Sequence, residues 1–415
     1  AQARKLFRIV VAVCLRRFHR RAMADAAAAS ESWGTCRLDG TEARLLRLRS
    51  TSGAEATVCT YGATVVSLHV PDRDGHKGDV LLGFSDLGAY EDHGTYIGCA
   101  VGRVCSRISK ASFSLGETVH QLPQNNATAC HHGGPVGFNR HNWRLVDSAP
   151  DRVTLEHVSP DGDQGFPGKL TAIVTYRLLA SADGDTALSM RYVATTDATT
   201  VVNLTNHAYF NLAGIEGGDA DGGLPKKALD HVVTVAADYF LPTDEGSVPL
   251  GELRSVEGTP LDFRAPATIG ARIDADDEQL RIAAGIDHNM VLRDEPAGAM
   301  PGRVGGTRGL GVEDDGAGGV RRTRKPDATA VYEATGRRME CFTAEPAVHF
   351  YSGNYLGSEP MGKYGVTIGR RGGFCFETQH FTDSPNNASF PSVQLEPGQT
   401  WETETVYWFS TIGKA

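Results

Sequence analysis

From about Arg37 onward, apolar residues recur at every second position in short runs broken by turn residues. In KLTAIVTYRLL the positions Ala172, Val174, Tyr176 and Leu178 alternate with polar or outward partners, and ALSMRYVA continues the alternation through Leu188, Met190 and Tyr192. In TETVYWFST, Val406 and Trp408 share one face. Successive side chains of a strand point to opposite faces, so a period of two over four to eight residues predicts half-buried strands. Between these runs lie turn clusters at 71–79, 159–169 and 395–400, rich in Gly, Pro and Asp. Helical periodicity is confined to 269–284. Many strands joined by long turns predict an all-β protein, a large β-sandwich with few short helices.

Composition agrees with that picture. There are 48 glycines in 415 residues, well above the usual roughly 7%, as a turn-rich chain requires. A chain that is 40% apolar can build a large core. The 41 basic and 50 acidic residues leave a net charge of −9, which argues against a nucleic-acid partner held by phosphate neutralisation. No apolar run approaches the about 18 residues that cross a bilayer; the longest, at 9–15, is far shorter, so no membrane partner is expected. Eight cysteines contain no CxxC pair, which excludes the usual zinc spacings and predicts reduced thiols in a cytoplasmic protein.

Two segments depart from the strand texture. The first 22 residues hold seven Lys or Arg and no acid; they read either as an organelle transit segment or as sequence upstream of a start at Met23, and the second reading is the expectation. Residues 1–30 are therefore expected to be a disordered extension, and 31–415 a single domain. Within that domain, 295–327 contains nine glycines, no aromatic residue and the basic run RRTRK. Such composition predicts a mobile insertion between strands that hangs in solvent.

Ionisable groups interrupt otherwise apolar sequence at four places: NNATACHHGG (125–134), TNHAYFNL (205–212), GIDHNMVL (285–292) and GFCFETQHF (373–381). The arginines of GRVCSRI (102–108) add a fifth. A histidine among aromatics, such as His207, reads as a hydrogen-bonded core residue or as part of a site. Glu377 ends an apolar run, and a carboxylate there is either solvated or a base facing a cavity. Gly133 and Gly134 permit a sharp turn or a close approach of backbone to a ligand. His131 and His132 are neighbours, and adjacent strand residues face opposite ways, so a shared metal ion is not expected. Neither a GxSxG elbow nor a GxGxxG or Walker loop is present. Acid–base chemistry without a cofactor remains. Three N-x-S/T sequons, at Asn126, Asn203 and Asn387, read as chance matches.

Taken in order, the segments YGATVVSLHVPDRDG, LGFSDLGAY, GRVCSRI, the HGG element at His132, SPDGDQGFPG, TNHAYFNLAG, GTPLDFR, IDHNMVL, EPAVHFYSGN and FCFETQHFTDSPN resemble the galactose mutarotase (aldose 1-epimerase) family from about Tyr61 to Phe409. The resemblance implies a large antiparallel β-sandwich with a concave carbohydrate cleft. It implies interconversion of the α and β anomers of free hexoses such as galactose and glucose, by a monomer or weak dimer needing no cofactor and no metal. By the same resemblance, His207 matches the acid that protonates the ring oxygen and Glu377 the base that takes the proton of the C1 hydroxyl. Arg107, His132 and Asp287 match positions that bind sugar hydroxyls or steady charge. Free imidazole titrates near about 6.5 and a glutamate near about 4.3, so a charged His207 beside an ionised Glu377 is expected just below neutrality, helped by Asp287 if it lies close. Tyr209, Phe210 and Phe376 are expected in the core, with the cleft wall as the alternative.

This chain departs from the family pattern at Ser106, where Asn is usual, and at His349, where Gln is usual. Both residues are expected at the substrate, where they bear on sugar preference. A hexose-6-phosphate 1-epimerase on the same fold is the nearest rival; it needs a cationic cluster for phosphate, for which Arg103, Arg140, Arg370 and Arg371 are the candidates. A non-catalytic sugar-binding module is the other rival, and it gives no reason for both His207 and Glu377.

Overall fold

The alternation at 170–196 becomes the centre of the molecule. Leu170–Ala180 pairs antiparallel with Thr186–Thr196 along its whole length, from Leu170 opposite Thr196 to Ala180 opposite Thr186. The turn between them is closed by the Ser181 backbone N–H on the Asp185 carbonyl, with Gly184 at φ 83°. Ala172, Val174, Tyr176, Leu188, Met190 and Tyr192 all point into the core, as the period of two requires.

The computed structural model describes residues 27–216, 227–293, 303–306, 308–316, 319–357 and 361–413. Around the central pair grows a 10-stranded sheet whose order includes Arg144–Ala149, Arg152–Ser159, the central pair, Thr400–Thr411, Arg337–Thr343, Ala328–Tyr332 and Val232–Val235. A 5-stranded sheet built from 29–79 and another that includes Asp287–Leu292, Ala347–Tyr351 and Cys375–Gln379 complete the main architecture. One apolar cluster joins all three, with Leu46, Val58 and Leu68 from the first, Leu155 and Tyr407 from the large sheet, and Met290, Phe350 and Phe376 from the third. Among the described residues the strands pair antiparallel, apart from 303–305, which lies parallel to the start of Thr400–Thr411, and two isolated parallel bridges, Val104 with Asn203 and Ser181 with Val320. Helices are short: the periodic 269–284 segment forms Gly270–Ile273 and Glu278–Ile282, the second capped by the Asp277 carboxylate on two backbone N–H groups. No helix of the described residues is long and apolar enough to cross a membrane.

Two boundaries differ from the sequence expectation. The first strand, Ala29–Thr35, already pairs with Glu42–Arg49, and Ala28 is buried, so the folded body begins before residue 31; the rest of the expected extension, 1–26, lies outside the described residues. The glycine-rich 295–327 segment is partly described, and that part is not a loop hanging in solvent. Val312–Asp314 and Val320–Arg322 form a hairpin whose Val312 and Val320 pack on Phe342, Val406 and Trp408. Behind it, Arg308 and Asp327 form a buried ion pair at 2.8 Å that Arg324 joins at 2.7 Å. The reason lies in Thr400–Thr411, which is apolar on both faces: Tyr407 and Phe409 face the main core while Val406 and Trp408 face outward and require a cover. The seven described cysteines are buried and unpaired.

Candidate active site

Three neighbouring strands build one wall of a hollow. Asn289 lies opposite His349, and His349 opposite Glu377, across Asp287–Leu292, Ala347–Tyr351 and Cys375–Gln379. Alternation sends Met290, Val348, Phe350 and Phe376 into the core, and leaves Asp287, His349, Tyr351, Glu377 and Gln379 on the face that lines the hollow. His207 enters from the facing segment just after Thr205–Asn206. Its backbone is fixed on both sides, by its own N–H on the Cys99 carbonyl at 2.9 Å and by the Gly98 N–H on its carbonyl at 2.9 Å. Its ring lies parallel to Tyr209 with centroids 4.9 Å apart, and its Nδ1 is 3.5 Å from the Cys375 sulfur. His207 Nε2 and Glu377 Oε1 are 3.7 Å apart, both side chains being at least 94% buried.

The third wall is a short antiparallel strand pair, Arg107–Ile108 with Cys130–His131, in which Arg107 lies opposite His131. Arg107 is oriented by Nε donating to the Asn126 carbonyl oxygen at 3.2 Å, so the side chain of one sequon asparagine serves the site. His132 follows at φ 51°, and Gly133 and Gly134 continue the turn at φ 83° and 101°. A Cβ on Gly133 would stand 2.0 Å from the Gly102 carbonyl oxygen, so this glycine is required by close packing of backbone on backbone. The Ser106 N–H donates to His132 Nδ1 at 3.1 Å. In a neutral imidazole this leaves the proton on Nε2 and makes His132 a donor. The hollow enclosed by these walls measures about 220 Å³.

All seven expected site residues (His207, Glu377, Arg107, His132, Asp287, Ser106 and His349) line this hollow. It also takes in His131, Tyr96, Tyr209, Tyr351, Tyr355 and Gln379. Gln379 and Tyr351 were within reach of the period-two pattern, each two residues from a site position or partner on its strand. Tyr96 carried no such signal, because it arrives through a turn, and the strand that carries His131 is only two residues long, too short to show a period. Phe210 and Phe376 are core residues as expected, whereas Tyr209 supports His207 in the wall.

Burial works against the charged pair expected from free side chains. Burial pushes His207 down to about 3, and the neighbouring His349 acts in the same direction; Asp287 pulls the other way and is outweighed. Burial likewise pushes Glu377 well above the ordinary carboxylate range, reinforced by Asp287 and opposed by Arg107. Burial thus opposes charge on both members of the pair. Asp287 behaves differently: burial would raise it, but the hydrogen bond with His349, with Arg107 behind it, holds it below the usual range. His132 stays neutral through burial and the neighbouring His131.

His132, His207 and Glu377 place ligand atoms within 4.8 Å of one another. The trio is nonetheless a poor metal site, since His132 spends its Nδ1 lone pair on the Ser106 N–H and presents a proton at Nε2. The arginines proposed for a phosphate lie elsewhere. Arg103 is buried on the Pro167 and Gly168 carbonyls and Ser159; Arg140 holds the Glu91 carbonyl; Arg370 and Arg371 hold the Ala284 carbonyl. Among the described lining residues Arg107 is the one Lys or Arg.

Comparison with known proteins follows the same lines. The family model for aldose 1-epimerase matches residues 44–408. Galactose mutarotase of Mus musculus is 36% identical over 353 residues, 85% of this chain and 90% of that protein. Aldose 1-epimerase of Escherichia coli is 34% identical over 375 residues, 89% of this chain and 96% of that protein. Among solved structures, galactose 1-epimerase from Lactobacillus acidophilus superposes with a TM-score of 0.73 at 26% identity, covering 93% of this chain and 99% of that one. A match that spans both the core strands and every wall of the hollow places this chain in the aldose 1-epimerase family.

Proposed function

We propose that His207 and Glu377 are the acid and base with which this aldose 1-epimerase opens and recloses the sugar ring, with Arg107, His132, Asp287, Ser106 and His349 binding the sugar. The observation that carries the assignment is the 3.7 Å separation of His207 Nε2 and Glu377 Oε1 inside a hollow lined by those residues. That distance exceeds a hydrogen bond, so each group can engage a different one of the two oxygens on the anomeric carbon. His207 gives a proton to the ring oxygen as the C1–ring-oxygen bond breaks. Glu377 takes the proton of the C1 hydroxyl, whose oxygen becomes the aldehyde carbonyl. Rotation about C1–C2 and reclosure on the other face returns both protons and inverts the anomer.

The proton count of the pair explains why burial helps. A charged imidazole with an ionised carboxylate, and a neutral imidazole with a protonated carboxyl, each hold one proton. The first arrangement matches the closed sugar and the second the open aldehyde. Burial penalises the charged arrangement, so discharging it onto the sugar favours ring opening. Positioned groups of this kind contribute about 10²–10⁴-fold each.

The substrate is a free aldose, with galactose and glucose as the first candidates. We read the protein as a cytoplasmic monomer or weak dimer, with neither nucleic acid nor membrane as partner. Polarimetry on freshly dissolved α-galactose, α-glucose and α-glucose 6-phosphate tests the reading. Acceleration of the free sugars well above that of the phosphate is expected, because one arginine lines the hollow; preference for the phosphate overturns it.

A further inference from the structure

We propose that Asn289 is a positioning residue of the sugar site, which fixes the proton of His349 and thereby the side of Asp287 offered to the sugar. The proposal rests on reading Asp287 as a sugar-binding residue. Its starting point is a group that cannot reverse its polarity. The backbone N–H of Thr382 lies 2.9 Å from one end of the Asn289 amide, and an N–H only donates, so that end is the carbonyl oxygen. The NH₂ end is then the one 3.0 Å from His349 Nδ1. An amide NH₂ also only donates, so Nδ1 accepts and the imidazole proton resides on Nε2. His349 Nε2 is 2.7 Å from Asp287 Oδ1, and the N–H therefore donates to it. The direction of each bond from Thr382 to Asp287 follows from the first.

The consequence is a carboxylate held by one oxygen. Oδ1 of Asp287 is engaged by the imidazole, and Oδ2 is left to accept from a sugar hydroxyl. Asn289 reaches the hollow only through His349. It is buried, and it stands directly opposite His349 on the neighbouring strand, so the contact is set by strand register. Thr382 has a second role: its hydroxyl donates to Ser106 Oγ at 2.8 Å. One turn after the Glu377 strand thus orients residues on two walls, including both positions where this chain departs from the usual Asn and Gln.

The polarity of the chain supplies the test. Asn289→Asp keeps an oxygen for the Thr382 N–H but replaces the donor to His349 by an acceptor. The imidazole then turns its proton to Nδ1 and Asp287 loses its donor. The expected result is a KM for α-galactose raised about ten- to a hundredfold, the effect of one charged hydrogen bond, with kcat falling far less. His349→Gln can accept from Asn289 and donate to Asp287, whereas His349→Met can do neither, so the glutamine variant should recover at least tenfold in KM over the methionine variant. Combining Asn289→Asp with His349→Gln should give no such recovery. A KM for Asn289→Asp within threefold of the parent overturns the proposal, as does equal KM for the two His349 variants. If Asn289→Asp melts early, the His349 pair decides alone. Asp287→Asn separates the two levels: an unchanged KM there removes the sugar-binding reading itself, and a raised KM with Asn289→Asp unaffected removes only the role of Asn289.

Discussion

Glutamine at position 377 isolates proton transfer from everything else that residue does. Glu377→Gln preserves shape and the Oε1 position 3.7 Å from His207 Nε2, and removes only the capacity to take a proton. The expected loss in kcat is about 10²–10⁴-fold, the contribution of a positioned general base, or about 2.7–5.4 kcal/mol at about 1.36 kcal/mol per decade. Stability should hardly change. Burial disfavours charge on this carboxyl, and its buried Oε2 has no hydrogen-bond partner, so a neutral amide removes a penalised charge and forfeits no bond at that oxygen. The melting temperature should stay within about 5 °C of the parent, given about 2–4 °C per kcal/mol for a domain smaller than this one. Polarimetry on fresh α-galactose, corrected for the spontaneous rate, reads kcat, and a thermal melt reads the fold. A variant that melts normally and keeps kcat within tenfold of the parent would remove Glu377 from the proton path. The expected kcat loss with a melting point lowered by 10 °C or more would instead contradict the claim that burial penalises charge on this carboxyl.

Because the pair holds one proton between His207 at about 3 and a raised Glu377, kcat should show no acid limb at the ordinary carboxylate value of about 4.3 and should fall on the alkaline side when that proton leaves; a bell centred near pH 5.5, between the ordinary values of the two groups, contradicts it. Stability should fall as pH drops from 7 towards 5, because His131, His132, His157, His207 and His288 are all held below the ordinary imidazole value, chiefly by burial. The unfolded chain then binds more protons than the folded one, so stability is present above about pH 6.5 and is lost below it; thermal melts at pH 7.5 and 5.5 should differ by several degrees, and a melting point that rises in acid contradicts the assignment. Gly133→Ala should cost at least about 3 kcal/mol, since its Cβ would meet the Gly102 carbonyl at 2.0 Å at a φ of 83°; a soluble variant melting within 3 °C of the parent refutes the close approach.

What the sequence made legible follows from how each feature is encoded. Strands show through because alternation is local, and the inward set at 170–196 lies in the core. His207 and Glu377 show through because an ionisable group in an apolar run is costly and therefore informative. The hairpin at 312–322 did not, because glycine content measures the freedom of the segment and not the demand of the surface that it covers; that demand sits about 85 residues downstream, in the outward faces of Val406 and Trp408. Tyr96 stayed hidden because a turn brings it to His132, with ring centroids 4.5 Å apart, and no periodicity reports on that. The pull of burial against charge on the pair stayed hidden for a related reason. Side-chain reference values belong to groups in water, and the burial that shifts them is created by distant parts of the chain.

The spacing of the pair is also a product of those distant contacts. At 3.7 Å no hydrogen bond joins the two groups, so a bond between them cannot set the spacing. Backbone bonds on either side of them can. On the N-terminal side of His207, the Thr205 hydroxyl donates to the Thr378 carbonyl at 2.8 Å. On its C-terminal side, Phe210 and Phe374 exchange backbone hydrogen bonds at 2.7 and 3.0 Å. These two ties bracket the segment carrying His207 and the strand carrying Glu377, so the acid and the base are held as parts of one braced frame. A frame that does not depend on charge keeps its geometry in both proton arrangements, and the reaction passes between those arrangements in every turnover. Sugar binding therefore meets two proton sites already at working distance, and reorganisation is left to the sugar, which must rotate about C1–C2.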